Sequence, residues 1–562
     1  MATEKATEKP PAKTTAQIAE EMSSKQREIG VAEFFARNRH LLGFDNKRKA
    51  LLTTVKEAVD NALDACEEAG ILPEVSVEII QMDENRYRVI VEDNGPGITK
   101  DQIPKIFAKL LYGSKFHRLK MSRGQQGIGI SACVLYAQLT TGKPAKIISK
   151  IDTKDAHYYE LTIDTKSNSP IIIKDVTLDW PKPHGTRIEL DIEATYLGGQ
   201  QSVDEYLKFC AVSNPHASFI YTNPKAQQIV FPRVTDQLPP IPQEVKPHPA
   251  GVELGVLLDM LKHTSARTLQ SFLTSDFSRV GDTAAKQICE HAALLPSMKP
   301  SSLSREQAEQ LLKGIQKTKL MAPLTDSISP IGKETSEKGI KKEINAEFYA
   351  TTTRSPSVYR GNPFIIEAGL AYGGEQPADA PARIIRFANR VPLQYQQGAC
   401  AITKAITATS WRSYGLAQPQ NALPVGPITI VVHIASVWVP YTSESKEAIA
   451  HYPEIIKEIK LALQEIGRDL GKYLAKKKSV KQELTKRSYI EKYIPHLAHT
   501  IVGILKLPQT EIAVLEEELV SLLEKHRGKL EEVDFDPEKN QEYDEEFASI
   551  GSDDEPSEEE DY

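Results

Sequence analysis

Apolar side chains recur every three or four residues between Leu52 and Cys66, which is the repeat of an amphipathic helix. The polar side of this predicted helix carries residues at positions i, i+3, i+4 and i+7: Glu57, Asp60, Asn61 and Asp64. An ordinary solvated helix face is one interpretation. A site is the other, because a carboxylate that can polarise water would lie one turn from a neutral oxygen ligand suited to Mg²⁺.

A second pattern predicts a strand with an acid at its end. Apolar and polar residues alternate from Tyr87 to Glu92, and Asp93 then opens an Asp-Asn-Gly-Pro-Gly turn. An acid at a strand end is well placed to accept a hydrogen bond from the amino group of a base. Gly95 and Gly97 would let the backbone approach a flat ring, although an ordinary turn has the same composition.

A third pattern combines glycines with the start of a helix. The glycines are spaced Gly-x-x-Gly-x-Gly from Gly124 to Gly129, and an apolar helical stretch continues from Ile130 to Tyr136. Free amides at this helix start would face an anion, so the motif predicts a phosphate site, and a flexible glycine loop is the alternative. The polar segment Tyr112-Gly-Ser-Lys115 upstream could close over the phosphates as a lid. The chain contains no Gly-x-x-x-x-Gly-Lys-Ser/Thr motif, which disfavours a P-loop fold.

The remaining patterns suggest several further modules. Residues 29–42 and 251–295 have helical spacing, the second run being broken by Gly281, and residues 428–439 predict a strand. Apolar residues after Pro453 repeat by three and four, as in a long packed helix. This helix is predicted to end in three consecutive lysines, residues 476–478, and further charged helical sequence follows.

Lys446 lies in a segment, Tyr441 to Glu447, that resembles the opening of a helix. A cation in the first turn of a helix opposes the helix dipole, typically by about 0.3 to 1 kcal/mol. An anion bound nearby would explain a lysine at this position. A plain surface lysine is the alternative.

Length and composition suggest a multidomain intracellular protein. The 562 residues exceed one core, and a prior of roughly 150 residues per domain predicts three or four domains. The five cysteines are widely separated and form no Cys-x-x-Cys motif, so we expect neither a disulfide framework nor a zinc site. No apolar run reaches the roughly 18 residues of a membrane span, and the first residues lack the apolar stretch of a signal peptide. We therefore expect a cytoplasmic protein.

The charge is unevenly distributed. Residues 531–562 contain sixteen acidic residues and one lysine, so the other 530 residues carry a net charge of +8 although the whole chain carries −7. A basic body favours a nucleic-acid partner. The acidic end is most simply a solvated disordered tail, and competition with DNA for basic surface is the alternative.

In their order and wording the three motifs resemble those of the GHKL ATPases, the family of DNA gyrase, MutL proteins, a heat-shock chaperone and sensor histidine kinases. The resemblance implies that ATP is bound with Mg²⁺, that Glu57 is the general base and that Asn61 is a metal ligand. It implies that Asp93 binds the adenine and that Thr186, in His-Gly-Thr-Arg, lies near its water network. The implied nucleotide-binding residues are Asn61, Asp93, Gly97, Ser114, Lys115, Arg123, Gly124, Gln125, Gln126, Gly127, Ile128, Gly129, Ile130, Thr186 and Lys446.

Longer stretches, such as LYGSKFHRLKMSRGQQGIGISA and RFANRVPLQYQQGACAITKAI, resemble the B subunits of archaeal type IIB DNA topoisomerases, the topoisomerase VI group. The likeness covers about residues 25 to 500. It implies an α+β multidomain chain with a GHKL (Bergerat) ATPase α/β sandwich, a helix-two-turn-helix insert, and an α/β transducer domain with a long C-terminal stalk helix. The predicted boundaries are a disordered tail (1–25), the ATPase domain with an N-terminal strap (26–235), the insert (236–310), the transducer (311–475), a C-terminal helical region that docks an A subunit (476–530) and an acidic disordered tail (531–562).

The same resemblance implies a division of labour. A separate A subunit would carry the tyrosine that cuts double-stranded DNA, while this chain would dimerise on ATP binding, with Lys446 touching the γ-phosphate, in an A₂B₂ heterotetramer that relaxes and decatenates DNA. Four basic residues of the insert could contact DNA phosphates or be merely structural: Lys262, Arg267, Arg279 and Lys286.

Two alternative functions remain open at the level of sequence. One is a GHKL clamp of mismatch-repair or chaperone type. The other is a histidine kinase with His40 as phosphoacceptor, although the flanks of His40 fit the topoisomerase resemblance better.

Overall fold

The computed structural model describes residues 14–26, 29–114, 119–124, 127–152, 154–443 and 445–527. Its first part contains α1 (Thr15–Ser24), α2 (Val31–Arg37), α3 (Lys47–Glu68), β1 (Glu74–Asp83), β2 (Arg86–Asp93), α4 (Ile103–Ala108), α5 (Gly129–Thr141), β3 (Ala145–Lys150), β4 (Ala156–Asp164), β5 (Ser169–Leu178), β6 (Gly185–Glu193), α6 (Val203–Ser213), β7 (Ser218–Thr222) and β8 (Gln228–Phe231). A helical segment follows, with α7 (Leu254–His263), α8 (Leu269–Asp276), α9 (Asp282–His291) and α10 (Arg305–Lys317). The last part contains α11 (Lys333–Glu343), β9 (Phe348–Thr353), β10 (Ser357–Tyr359), β11 (Asn362–Tyr372), β12 (Arg383–Ala388), β13 (Val391–Pro392), α12 (Ala401–Thr407), β14 (Ile428–Ser436), α13 (Pro453–Leu505) and α14 (Glu511–Arg527).

The first part is built on an eight-stranded mixed sheet with the order β5-β4-β3-β6-β2-β1-β7-β8. Strand β2 pairs antiparallel with β6, and the register places Asp93 opposite Thr186. Helices α3 and α5 contact the sheet and each other, and their apolar stripes form one continuous core with it. Two motifs that are far apart in the sequence therefore meet at one end of neighbouring strands.

The last part contains a six-stranded sheet in which β11 pairs with β9, β10 and β14, and β12 lies parallel to β14. Strand β14 is buried along its whole length, as expected for a central strand with both faces covered. Apolar residues of α6 and α11 pack on this sheet through Phe209, Ile340 and Phe387. The predicted α+β multidomain class, with an α/β sandwich followed by a second α/β layer, is confirmed.

The helical segment between the two sheets has its own core. Leu257, Leu269, Phe272, Ile288 and Leu311 are fully buried in it, one or two from each helix. The four basic residues singled out in this segment are exposed, and Arg279 donates from Nε to the carbonyl oxygen of Ala322 at 3.1 Å. Arg279 thus has a local structural role.

Three local predictions are wrong. Thr15–Ser24 form a helix within the segment predicted to be a disordered tail, whose residues 1–13 lie outside the described part of the chain. The described residues of this segment, 441–443 and 445–447, are not helical: Lys446 adopts a left-handed φ of 53°, and the helix begins only at Pro453. The long helix also does not end at residues 476–478 but continues to Leu505.

The described residues divide into two compact units. The larger unit holds both sheets and the helical segment, and includes α13 up to Gly467, where Ile459, Leu463 and Ile466 are buried as the apolar repeat predicts. The smaller unit comprises residues 413–415 and those from Arg468 onward. In this unit Ile494, Ala498 and Val502 form one buried stripe. The acidic tail, residues 531–562, lies outside the described residues.

Two further expectations concern the cysteines and the apolar runs of the chain. All five cysteines are buried free thiols, in agreement with the prediction that none forms a disulfide. Among the described residues, no helix combines the length and the apolar character that crossing a membrane requires.

Candidate nucleotide site

A cavity of about 620 Å³ opens between α3, the end of β2, the segment around Gly113 and the start of α5. Most of the residues predicted to bind nucleotide line it together: Glu57, Asn61, Asp93, Gly97, Ser114, Gly124, Gly127, Ile128, Gly129, Ile130, Thr186 and Lys446. Three predicted residues, Lys115, Gln125 and Gln126, lie outside the described residues. The site therefore combines segments separated by nearly four hundred residues of sequence.

Helix α3 supplies Glu57 and Asn61 to the cavity wall. The helix starts where the Asn46 side chain accepts a hydrogen bond from the Lys49 amide at 2.8 Å, a favourable N-cap. Glu57 lies against Gly129, the first residue of α5, so closely that a methyl group there would overlap its carboxylate. A glycine at this position is thus required to bring the carboxylate against the start of α5.

The two other acids of the same helix face are buried. Asp60 is 3% exposed and Asp64 is 8% exposed, so the interpretation of this face as solvated is wrong. The hydroxyl of Tyr206 donates to Asp60 Oδ1 at 3.0 Å, and Arg123 donates to Asp64 Oδ1 at 2.8 Å. Burial raises the pKa of Asp60 to about 6. Both acids fix α3 against its neighbours, and Asp64 also lines the cavity together with Glu57 and Asn61, whereas Asp60 does not.

Asp93 is held at the inner end of the cavity. Its Oδ1 accepts hydrogen bonds from the amides of Gly95 at 2.8 Å and Thr186 at 3.2 Å, which fix the carboxyl group in place. Burial raises the pKa of Asp93 to about 6, against the opposing effect of these two amides. A buried carboxylate with a second oxygen available suits a single hydrogen-bond donor on a flat ligand.

The turn after Asp93 depends on Gly97. This residue has a φ of 77°, and a methyl group on it would overlap the carbonyl oxygen of Lys150. Only glycine combines that backbone conformation with such a close approach. The next amide, that of Ile98, donates to Ser149 Oγ, which also lies 3.0 Å from Thr186 Oγ1. The Ser149 hydroxyl thus links the turn to the β6 end of the site, a role that its neutral sequence context did not reveal.

The opposite end of the cavity has the features of an anion site. Helix α5 begins at Gly129, and the first amides of any helix lack partners within it. Gly127 has a φ of 57°, which turns the chain into this helix start. Ser114 lies on the rim and is exposed. This arrangement favours phosphate groups at the start of α5.

Arg123 differs from its prediction, because its side chain does not line the cavity. It is 4% exposed and forms ion pairs with Asp64 and Glu67 at 2.8 and 2.6 Å. Asn214 and Glu67 accept further hydrogen bonds from its two Nη atoms, and Glu67 also accepts from His216, while the buried Nε has no partner among the described residues. Its guanidinium therefore fastens the loop before Gly124 to α3 and is not available to phosphates.

Lys446 reaches the cavity from the loop that follows β14. It is only 5% exposed, and its Nζ donates to the backbone oxygen of Arg123 at 2.9 Å, across 323 residues of sequence. The preceding residue, Ser445, accepts a hydrogen bond from Lys56 Nζ at 3.3 Å. Glu447, which follows, forms an ion pair with Lys49 at 3.0 Å. Three consecutive residues of this loop are thus tied to α3 or to the glycine loop.

Lys56 is a residue of the site that the sequence motifs did not single out. It lines the cavity beside Glu57 and Lys446. Burial lowers its pKa and the charge of Lys446 lowers it further, while Glu57 acts in the opposite direction. The sequence offered one signal for Lys56, its position directly before Glu57 on a predicted helix. Its contact with the 445–447 loop could not be predicted, because only the fold brings that loop to it.

Two family models match the chain. The "Histidine kinase-, DNA gyrase B-, and HSP90-like ATPase" model matches residues 46–194, and the "Topoisomerase VI B subunit, transducer" model matches residues 323–486. The first covers α3 through β6 with their cavity residues, and the second covers the six-stranded sheet and Lys446.

The curated relatives are similar over most of the chain. The B subunit of type 2 DNA topoisomerase 6 from Methanococcoides burtonii is 53% identical over 87% of this chain and 79% of that protein. The corresponding protein of Archaeoglobus fulgidus is 49% identical over 87% of this chain and 82% of its own length. Among solved structures, the B-subunit of DNA gyrase from Myxococcus xanthus aligns with a TM-score of 0.40 at 9% identity, over 78% of this chain and 95% of that one.

The assignment rests on the sequence relatives and on the two family models. Both models fall on the segments that form the cavity. The chain belongs to the family of type 2 DNA topoisomerase 6 B subunits and is the ATPase subunit of a type II DNA topoisomerase.

Proposed function

We propose that ATP binds in the cavity between α3 and α5 with its adenine at Asp93 and its phosphates at the start of α5. The observation that carries the proposal is that Glu57, Asn61, Asp93 and Lys446 line one cavity of about 620 Å³. That volume lies within the range of about 300 to 1,000 Å³ that is usual for small-molecule sites.

Glu57 is the general base in this proposal. Its carboxylate lies at the helix start where the phosphates bind, and a base there can take a proton from the water that attacks the γ-phosphate. Phosphoryl transfer depends mainly on positioning and on stabilisation of charge. The packing of Glu57 against Gly129 supports the positioning part.

Asn61 is the protein ligand of Mg²⁺ in this proposal. Asn61 lines the cavity one turn from Glu57. The described residues contain no group of three or more His, Cys, Asp or Glu side chains arranged around a metal position. A single neutral oxygen ligand fits Mg²⁺ that is bound chiefly by substrate phosphates and water, where the ion neutralises developing negative charge.

Lys446 senses the γ-phosphate. It brings a cation from the second sheet to the phosphate end, where it already bonds to the Arg123 carbonyl. We infer that ATP engages Lys446, that two copies of the chain then dimerise through their ATPase domains, and that hydrolysis releases the contact. Dimerisation of this kind would close a gate around a DNA duplex.

The partners follow from the family. The relatives are B subunits, so we propose that an A subunit supplies DNA cleavage and that the two chains form an A₂B₂ heterotetramer associated with the nucleoid. The net charge of +8 on the first 530 residues supports double-stranded DNA as the other partner. The domain boundaries given above are part of this proposal, with residues 476–530 docking the A subunit.

Parallel assays of ATP hydrolysis and plasmid relaxation test this function. The full chain is measured alone, with the candidate A subunit, and with both the A subunit and supercoiled plasmid, in the presence and absence of Mg²⁺. We expect the A subunit and DNA to stimulate ATP hydrolysis. We expect the plasmid to be relaxed only in the complete mixture. Glu57→Ala is the control for contaminating ATPases.

Two results would contradict parts of the proposal. Hydrolysis without relaxation in the complete mixture would favour a clamp of mismatch-repair or chaperone type. Failure of a nonhydrolysable ATP analogue to increase the molar mass of the chain, measured by light scattering, would contradict dimerisation on ATP binding.

A further inference from the structure

The turn between β12 and β13 consists of two buried residues in an unfavourable conformation. Asn389 and Arg390 have φ angles of 48° and 65°, and they are 0% and 3% exposed. A two-residue hairpin with both residues left-handed normally carries glycine at one of these positions. Non-glycine residues there cost free energy, so surrounding contacts must hold them in place.

The Asn389 side chain forms a complete set of hydrogen bonds. Its Nδ2 donates to the backbone oxygens of Ser122 and Ser436, each at 3.0 Å, and its Oδ1 accepts from the Ser436 amide at 2.9 Å. Ser436 ends β14 in the second sheet, whereas Ser122 immediately precedes Arg123 and the glycine loop. One amide group therefore joins the second sheet to the loop that forms the phosphate end.

Arg390 extends the same connection to α3. Its Nη2 donates to the oxygens of Ser329, at 3.0 Å for the backbone and 2.7 Å for the hydroxyl, and its Nη1 lies 3.5 Å from Glu67. The backbone of Arg390 is also fixed, because its amide donates to His433 Nε2 at 3.0 Å and its carbonyl accepts from Ser213 Oγ at 2.7 Å. The turn is thus held both by α3 and α6 of the first part and by β14 of the second sheet.

The loop segment that Asn389 contacts is fixed at consecutive positions. The Met121 amide donates to the Ser327 carbonyl at 2.8 Å, the Ser122 carbonyl accepts from Asn389, and the Arg123 carbonyl accepts from Lys446. We call Met121, Ser122 and Arg123 the lid base, since they lie between the segment predicted to act as a lid and the glycine loop that begins at Gly124. Each of its three residues has a main-chain hydrogen bond to a residue that follows the helical segment in the sequence.

We propose that Asn389 is a positioning residue for ATP hydrolysis, which acts through the lid base to set the position of the glycine loop and of Lys446. It touches no substrate. Asn389 and Lys446 bond to neighbouring carbonyls, so loss of the Asn389 contact leaves Lys446 attached to a segment that has lost one of its three main-chain anchors. The kinetic part of this inference rests on the proposed ATPase function.

Asn389→Gly is the variant that isolates the side chain. Glycine adopts a φ of 48° without strain, so the backbone of the turn is preserved while the three side-chain hydrogen bonds are lost. The matched control is Thr429→Val, at the other end of β14, which removes the 2.6 Å hydrogen bond from a buried hydroxyl to Gln376 without touching the lid base.

Steady-state kinetics with the full chain should separate the two variants. For Asn389→Gly we expect kcat to fall by about tenfold, because small displacements of catalytic groups are costly. We expect ADP affinity to change by less than about twofold, since Asp93 binds the adenine elsewhere. Thr429→Val should hydrolyse ATP at the wild-type rate. Equal kcat for the two variants would overturn the proposal.

Hydrogen exchange without nucleotide tests the anchor independently of catalysis. The Met121 amide is protected by its bond to Ser327, and we expect faster exchange in the peptide that contains the lid base of Asn389→Gly but not of Thr429→Val. Unchanged exchange there would overturn the proposal even if kcat fell. A wild-type chain that does not hydrolyse ATP would instead contradict the proposed function and leave the exchange result to decide the anchor.

Discussion

The two ends of the cavity are built in different ways. At the end proposed to bind adenine, Asp93, Gly97 and Thr186 are fixed by β2, β3, β6 and their turns, all within residues 93–186. The phosphate end combines Glu57 on α3, the glycine loop and Lys446, which arrives from beyond the second sheet. In the proposed mode of binding, the base is therefore held by residues of one sheet, whereas hydrolysis depends on contact between two layers.

The largest effect should come from Glu57→Ala, which removes the base and leaves the adenine end intact. We expect hydrolysis to fall by about 10² to 10⁴-fold while ADP affinity is retained. Single-turnover hydrolysis and isothermal titration with ADP measure the two quantities. Glu84→Ala removes an exposed carboxylate at the β1–β2 turn and serves as the control. A wild-type rate in Glu57→Ala would show that the base is misassigned.

Lys446→Met should lower hydrolysis by a smaller factor than Glu57→Ala, again without weakening ADP binding. We expect kcat to fall by about 10²-fold, since a cation at the developing charge acts mainly in the transition state. ADP lacks the γ-phosphate, so its affinity should stay the same. Lys404→Met, at an exposed position of α12, is the matched control. A fall in ADP affinity as large as the fall in kcat would place Lys446 in general binding instead.

Asp93→Asn should weaken nucleotide binding and leave the rate of hydrolysis at saturation nearly unchanged. Loss of a charged hydrogen-bond acceptor costs about 1.5 to 3 kcal/mol, which corresponds to about 10 to 150-fold weaker ADP binding. The rate at saturating ATP should change little, because the phosphate end is untouched. Titration calorimetry and kcat at high ATP concentration test this together. A low kcat at saturation would mean that the two ends are coupled.

The smallest effect is a dependence of binding on pH. Burial raises the pKa of Asp93 to about 6, so the carboxyl group is mostly ionised at pH 7 and mostly protonated at pH 5. If the adenine requires the ionised form, ADP affinity should fall by about tenfold between these pH values. The nearby charges of Lys182 and Glu92 act on this pKa in opposite directions. Asp93→Asn should show a smaller change, and an equal change in both proteins would assign the titration to another group.

The sequence located the residues assigned to adenine because each of them stands in a local pattern, while the assignment itself stays a prediction. The alternation of β2 located Asp93, and the register with β6 then brought Thr186 beside it, as the motif order implied. The role of Ser149 was not predictable, because a hydroxyl in an alternating strand carries no local signal. Most of the residues assigned to nucleotide binding line the cavity, while their individual roles stay predictions.

The phosphate end was harder to predict, because long-range contacts override local patterns. The segment around Lys446 resembles a helix start, yet it is a left-handed turn fixed by Lys49, Lys56 and the Arg123 carbonyl. Arg123 stands in a nucleotide motif, yet its side chain is used to fasten α3. Asn389 belongs to no nucleotide motif, and only the fold brings it to the Ser122 carbonyl.

The separation of 323 positions between Arg123 and Lys446 also sets an order of events during protein synthesis. A ribosome that has passed Thr186 has already made every residue of the adenine end, and domains commonly fold as they emerge. Lys446 is made only after both the helical segment and the second sheet. On the proposed mode of binding, the nucleotide-binding residues of one sheet are therefore complete long before Lys446, and we expect a product truncated before Lys446 to bind ATP without hydrolysing it.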